Sequence, residues 1–302
     1  MAEERFEGAG AVYFYTISEK GAVITGYEGH KMELSVPSQI EGTEVTAVGK
    51  KAFFNTTGLY RIYLPDTIQR IDDWAFAHCR DLEEIYLPRK EYVLGKALFM
   101  ECGSLKRICL TQGNGDDVRG FGSLLASVCG ILDAPYLFQT TKIDDREWLS
   151  LWDTRMLTIL HEDDMEGYTK LLLCGEEDYG SRENNLDYFL EEKRKRKVRL
   201  AFLRLLYDKG LSDANRKELT DYLLSHTRGC ASEETWLVLK EEHGEEMDYI
   251  SLFLNLGCLT LDNFDSVLED LGEEHPQMKA FFMRFKEEHL GGYDFFGGLS
   301  LD

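Results

Sequence analysis

Proline is scarce, with five residues in 302, and none lies between about Asp144 and Pro276. Nothing of that kind interrupts helices over the second half of the chain. The seven cysteines (Cys79, Cys102, Cys109, Cys129, Cys174, Cys230 and Cys258) are odd in number and form no C-x-x-C pair. A disulfide framework and a zinc ribbon are therefore not expected, and reduced thiols in a cytoplasmic protein fit best. No apolar run approaches the roughly 20 residues needed to span a bilayer. The N-terminal stretch Met1-Ala-Glu-Glu-Arg-Phe-Glu7 is acidic and lacks an apolar segment, so no secretory signal is expected there.

Basic charge is also short, and the formal net charge is −21. Residues 1–142 carry 19 acidic and 15 basic side chains, a net of −4, whereas residues 143–302 carry 36 and 19, a net of −17. This asymmetry supports two domains, 1–142 and 143–302, as the length also suggests. It argues against nucleic acid and anionic membranes as partners, since both require a basic face.

What is present is a repeat. A step of 23 residues joins Val48, Ile71 and Leu94; Ala52, Ala75 and Leu98; Phe53, Phe76 and Phe99. The same step joins Leu59, Leu82 and Leu105; Ile62, Ile85 and Ile108; Leu64, Leu87 and Leu110; and Thr56, Cys79 and Cys102. Pro65 and Pro88 keep the step, and Pro37 opens an earlier unit lengthened within Glu41–Val45. So short a unit cannot bury its own apolar positions and must stack on its neighbours as a solenoid. The Ile-x-Leu-Pro stretch has the period of a strand, ended by proline. The Ala-Phe pair sits in a turn, with Phe as the large core plug.

The run Leu64-Pro-Asp-Thr-Ile-Gln-Arg-Ile-Asp-Asp-Trp-Ala-Phe-Ala-His-Cys-Arg-Asp-Leu-Glu-Glu-Ile-Tyr-Leu-Pro88 resembles the BspA-like class of leucine-rich repeats. Gly49 and Gly95 hold that family's glycine position; Asp72 departs from it, as Thr56 departs from the Cys column and Leu98 from the Ala. The resemblance covers about residues 30–112. It implies a binding scaffold for protein or cell-surface ligands and brings no catalytic residues.

Tyr13–Ile17 and Gly21–Ile24, joined through Ser18-Glu-Lys-Gly21, read as a β-hairpin capping one end of the solenoid. Gly113–Asp117 reads as a loop, and Leu124–Leu132 is apolar enough to close the other end, as a degenerate repeat. From about Asp144 the period becomes helical. Amphipathic helices are expected over residues 146–160, 186–208, 213–226, 232–243, 247–256, 261–271 and 277–289. Gly210 and Gly257 end helices in the left-handed conformation, Leu211 and Leu259 tuck inward, and Ser212 and Thr260 cap the helices that follow. The fold class is therefore α+β: a short leucine-rich-repeat β-solenoid followed by an all-α helical-hairpin domain, similar in kind to ankyrin or HEAT stacks.

On the expected concave face, Arg61, Tyr63, Glu84, Tyr86, Arg107 and Cys109 point outward, with the two tyrosines side by side about 4.8 Å apart. Exposed Tyr and Arg favour an interaction surface; equally, Arg61–Glu84–Arg107 and Tyr63–Tyr86 read as cross-strand ladders that only stabilise the sheet. Lys193-Arg-Lys-Arg-Lys197 reads as a solvated helix face rather than a nucleic-acid patch, and His161-Glu-Asp-Asp164 as a solvated acidic loop rather than a metal site. The Gly-rich tail 290–302 reads as a frayed terminus or a docking peptide. No G-x-S-x-G, H-E-x-x-H or phosphate-binding loop occurs, so no catalytic residue, metal or cofactor is expected. The leading expectation is a cytoplasmic scaffold with a protein partner. The alternatives are an exported cell-surface adhesin and an enzyme with an unrecognised site in the helical half.

Overall fold

Two parallel β-ladders, one rung per repeat, follow from the 23-residue step. The structure, a computed structural model, describes residues 3–8, 10–112, 116–117, 121–169 and 185–291. The chain divides into two compact units, 1–160 and 161–302. This division and the change of sequence period at about residue 142 are different boundaries, because the first long helix belongs with the solenoid.

The first unit contains β1 (Glu4–Gly8), β2 (Ala11–Ser18), β3 (Gly21–Glu28), β4 (Glu33–Ser35), β5 (Gln39–Ile40) and β6 (Thr43–Val48). These are followed by β7 (Arg61–Tyr63), β8 (Arg70–Ile71), β9 (Glu84–Pro88), β10 (Val93–Leu94), β11 (Arg107–Gln112) and β12 (Asp116–Asp117). One sheet runs β1-β2-β3-β6-β8-β10, with β5 paired to β6; the other runs β12-β11-β9-β7-β4. Within the repeats the pairing is parallel and in step with the sequence: Arg70 opposes Val93, and Ile62 opposes Ile85, which opposes Ile108. Period two turns Ile62, Ile85 and Ile108 inward, where all three are fully buried.

The Phe column is the spine of this unit. Phe53, Phe76 and Phe99 stack at centroid separations of 5.3 and 5.5 Å with interplanar angles of 11° and 7°. Tyr27 extends the column at 5.4 Å and Phe138 at 6.0 Å. The capping hairpin and the closing segment thus each donate a ring to the repeat's own core. The hairpin forms as its sequence predicts: β2 and β3 pair antiparallel across Glu19-Lys20, with Ser18 Oγ donating to the Gly21 carbonyl at 2.7 Å. Gly21 is required there, since its φ is +129° and a Cβ would lie 2.5 Å from the Glu44 carbonyl oxygen.

Between the two sheets the backbone makes one tight turn per rung. Its amides pair alternately with the next rung, as in Phe53 N to Ala75 O (2.8 Å) and Phe76 N to Leu98 O (3.1 Å). Alternation places non-glycine residues in the left-handed region at the same two positions of each turn: Lys51, Trp74 and Ala97, and Asn55, His78 and Glu101. Such a residue costs about 1–2 kcal/mol. Ala97 is exposed and has φ +50°. Ala97→Gly is therefore expected to raise the stability of this unit by up to about 1 kcal/mol, read as a higher thermal midpoint. A lowered midpoint would contradict this account of the turn.

Past β11 the 23-residue columns are lost. Part of the stretch expected as a loop is a strand, since β12 pairs antiparallel with β11; residues 113–115 lie outside the described residues. The closing segment, expected as a degenerate repeat, is built of helices: α1 (Gly122–Cys129), a 3-10 turn (Pro135–Leu137) and α2 (Arg146–His161). Gly122 lets α1 approach β11, because a Cβ would lie 3.0 Å from the Ile108 carbonyl oxygen. From α2, Trp148 Nε1 donates to the Leu137 carbonyl (2.8 Å) and Trp152 Nε1 to the Leu124 carbonyl (3.3 Å). Arg89 at the end of β9 donates to Asp144 and to the Thr141 carbonyl, which ties the closing segment to the last rungs.

The second unit is helical throughout its described residues. It comprises α3 (Leu186–Leu206), α4 (Asp213–Ser225), α5 (Glu234–His243), α6 (Met247–Asn255), α7 (Leu261–Leu271), α8 (Pro276–Phe285) and a π-helical turn (Lys286–Leu290). The junction at 256–263 holds as expected, with Leu259 buried; at the other the helix ends at Leu206, four residues before Gly210, and Leu211 is only half-buried. Gly210 and Gly257 have φ of 69° and 80°. Ser212 Oγ accepts from Asn215 N (3.1 Å), and Thr260 and Asn263 form a reciprocal capping box. The helix α3 packs against α4, α5 and α6. Trp236, Phe253 and Phe282, all fully buried, join α5, α6 and α8 at 6.1–6.3 Å. The Gly-rich tail 292–302 lies outside the described residues.

Candidate interaction surface

The outward face of β7, β9 and β11 carries two rows of side chains, set by the in-register pairing Arg61↔Glu84↔Arg107 and Tyr63↔Tyr86↔Cys109. All five candidate residues come together on this face. In the first row, Glu33 of β4 opposes Arg61, so acid and base alternate across four strands. Arg61 bonds Glu33 (2.5 Å) and lies 3.4 Å from Glu84; Arg107 Nε donates to Glu84 Oε1 at 3.0 Å. Burial works against charge on the Glu84 carboxyl, but hydrogen bonds from Arg107 and Tyr86 and the nearby arginines hold its pKa below the usual range.

The second row holds a tyrosine pair. The rings of Tyr63 and Tyr86 stack at 4.3 Å and 19°, and both are half-buried. The Tyr86 hydroxyl donates to Glu84 Oε2 at 2.7 Å, which fixes its ring over the ion-pair row.

Two expectations change. Glu84 does not stand out toward solvent: only 6% of it is exposed, because Arg61, Arg107 and Tyr86 close over its carboxylate. Cys109, expected outward beside Tyr86, is 2% exposed, so the tyrosine row stops at β9. The ladder reading therefore describes the charged row, and the accessible groups narrow to Arg61, Tyr63, Tyr86 and Arg107.

Residues 33–145 match the family model described as the BspA type leucine rich repeat region, in 6 copies. This stretch is a BspA-type leucine-rich repeat region. The match runs past the columns visible to about residue 112 and takes in α1 and the 3-10 turn, in keeping with a degenerate repeat there, but stops before α2. Among solved structures, the chain is similar to the leucine-rich repeat protein of T. pallidum, at 28% identity over 34% of this chain and 58% of that one, with a TM-score of 0.28. It is also similar to a leucine-rich cell surface protein of Faecalibacterium prausnitzii A2-165, at 22% identity, 37% and 31% coverage, and a TM-score of 0.30. A leucine-rich repeat protein of Bacteroides capillosus ATCC 29799 matches at 20% identity, 36% and 99% coverage, and a TM-score of 0.28. The chain thus spans less than two thirds of the first two proteins. No curated protein matches it.

Outside the BspA-type region, the basic run on α3 differs from its expected solvated face. Lys195 and Lys197 are buried, and the run is held by acids distant in sequence. Arg194 Nε donates to Asp164 Oδ2 (2.7 Å), Lys197 Nζ to Asp164 Oδ1 (2.8 Å) and Lys195 Nζ to Glu241 Oε2 (2.9 Å). Arg199 forms a two-pronged pair with Glu242. The 161–164 segment is correspondingly the acid partner of α3, not a free loop. Burial opposes charge on Asp164, but its two bonds from Lys197 and Arg194 outweigh this and lower its pKa.

A groove of about 200 Å³ lies between α6 and the end of α8, lined by Ser251, Leu254, Phe281, Arg284 and Glu288 among others. Among the described residues, no group of three or more His, Cys, Asp or Glu is placed to hold a metal. Among them, too, no helix is long and apolar enough to cross a membrane.

Proposed function

We propose that the protein is a macromolecular-interaction scaffold whose BspA-type region engages a protein partner through the outward face of β7, β9 and β11. The observation that carries this reading is the Tyr63–Tyr86 pair. It is held rigid from below by the Glu84 network, half-exposed above, and flanked by two arginines. Pre-ordered Tyr and Arg side chains lose little freedom on binding and dominate interface energetics. The charged row is largely neutralised within itself, so selectivity rests on the aromatic surface, with Arg61 and Arg107 favouring carboxylates at its rim. The net charge of −21 supports a protein over nucleic acid or an anionic membrane as partner. The cysteines standing as free thiols among the described residues support a reducing, cytoplasmic setting.

The test is affinity capture from a lysate of the source cell, with the wild type and Tyr63→Ala/Tyr86→Ala as parallel baits. Aromatic anchors of this kind contribute about 2 kcal/mol or more. The double variant is therefore expected to retain the partner at least about tenfold less well, while its thermal midpoint shifts only slightly. Equal retention by both baits would sink the assignment of the partner to this face.

A further inference from the structure

We infer that Cys79 and Cys102 form an oxidation site: a thiol pair on adjacent rungs, placed to close into a disulfide that clasps two repeats of the BspA-type region.

The two cysteines occupy one column of the turn in consecutive repeats. Each amide donates to the Phe of its own rung, Cys79 N to Phe76 O (3.3 Å) and Cys102 N to Phe99 O (3.2 Å). Each thiol donates to the Phe carbonyl one rung back, Cys79 to Phe53 O (2.9 Å) and Cys102 to Phe76 O (3.0 Å). Flanking backbone bonds, Phe76 N to Leu98 O and His78 N to Met100 O, lock the rungs in register. Neighbouring strands stand about 4.8 Å apart. That lies within the roughly 4.4–6.8 Å separating the Cα atoms of a disulfide. The two thiols share one column, each bonded to the Phe carbonyl one rung back, so rotation about χ1 is what would bring them together.

Closing the bond strands no acceptor. Phe53 O keeps Thr56 N (3.2 Å) and Thr56 Oγ1 (2.7 Å), and Phe76 O keeps Cys79 N. Cys79 is buried and Cys102 half-buried, so Cys102 meets the oxidant first. With oxidised glutathione, Cys102, whose proton the neighbouring Cys79 and burial hold more tightly than usual, loses it to solvent, and its thiolate displaces one glutathione to form a mixed disulfide. The Cys79 thiolate then attacks Cys102 Sγ and expels the second. The two cysteines lose two electrons and two protons, and one oxidised glutathione becomes two molecules of glutathione.

The experiment treats the native, reduced full-length chain with oxidised glutathione, quenches it by alkylation, and maps cysteines by peptide mass spectrometry. The expected product is a peptide linking Cys79 to Cys102, with a raised thermal midpoint. Cys79→Ser should trap glutathione on Cys102. This variant is expected to fold, because Thr56 already places a hydroxyl in the same column, bonded to the same kind of carbonyl. Glutathione found only on the exposed Cys230, a link from Cys102 to Cys129, or a Cys79–Cys102 link formed only in denaturant would each overturn the assignment.

Discussion

Phe76→Ala is expected to destabilise the first unit by about 3–5 kcal/mol. Phe76 is fully buried between Phe53 and Phe99, and its ring is the middle one of the spine. Truncation removes apolar burial and leaves a gap that the neighbouring rungs cannot close, because their amides are committed to fixed partners on either side. A solenoid holds only through contacts between neighbouring rungs, so the loss falls on both interfaces of the central repeat. Thermal or denaturant unfolding would read it. A loss below about 1 kcal/mol would mean that the column is not the core.

Asp164→Ala is expected to destabilise the second unit by about 3–5 kcal/mol. Its carboxylate neutralises Lys197, which is 4% exposed, and pairs with Arg194, which is also 3.5 Å from Glu234. Removing the acid leaves a buried ammonium with the neutral Glu162 carbonyl as acceptor and no counter-charge, and charge burial without a counter-charge costs more than a pair returns. Lys197→Met should cost less, since Asp164 keeps Arg194 and the methylene path of the lysine is replaced in kind. The pH dependence follows with a definite sign. The pKa of Asp164 is lowered in the folded chain, as is that of Glu84. Their contribution is fully present above the unfolded carboxylate value of about 4 and is lost as pH falls through the lowered folded values. Acid unfolding of the Asp164→Ala variant should therefore start from a lower plateau and show a shallower fall. Equal slopes for variant and wild type would contradict the ion-pair account.

The parts legible in the sequence are those controlled locally. The column Phe53–Phe76–Phe99, the in-register strands and the outward Tyr63–Tyr86 stack follow from a fixed step of 23, because a repeated residue in a stacked turn meets its own copy. Ser212 and Thr260 mark helix starts through bonds spanning three residues. What the sequence does not display depends on partners far along the chain. Lys195 and Lys197 look solvated among their neighbours; Glu241 and Asp164, 46 and 33 residues away, allow their burial. Glu84 is covered by Arg107 from the next rung, 23 residues on. The closure by Trp148 and Trp152 falls where periodicity changes, so it reads as the start of the helical half although it packs on the solenoid. Cys79 and Cys102 read as gap-fillers by size, and only the turn geometry shows each thiol bonded to the Phe carbonyl one rung back.

The most direct test of the central claim places a photo-crosslinking phenylalanine derivative at Tyr63, on the outward sheet face, or at Lys50, on the exposed turns. Each protein is irradiated in lysate of the source cell. A protein adduct formed from position 63 and absent from position 50 is the predicted result. Adducts from position 50 with none from position 63 would contradict it and move the working surface to the turns.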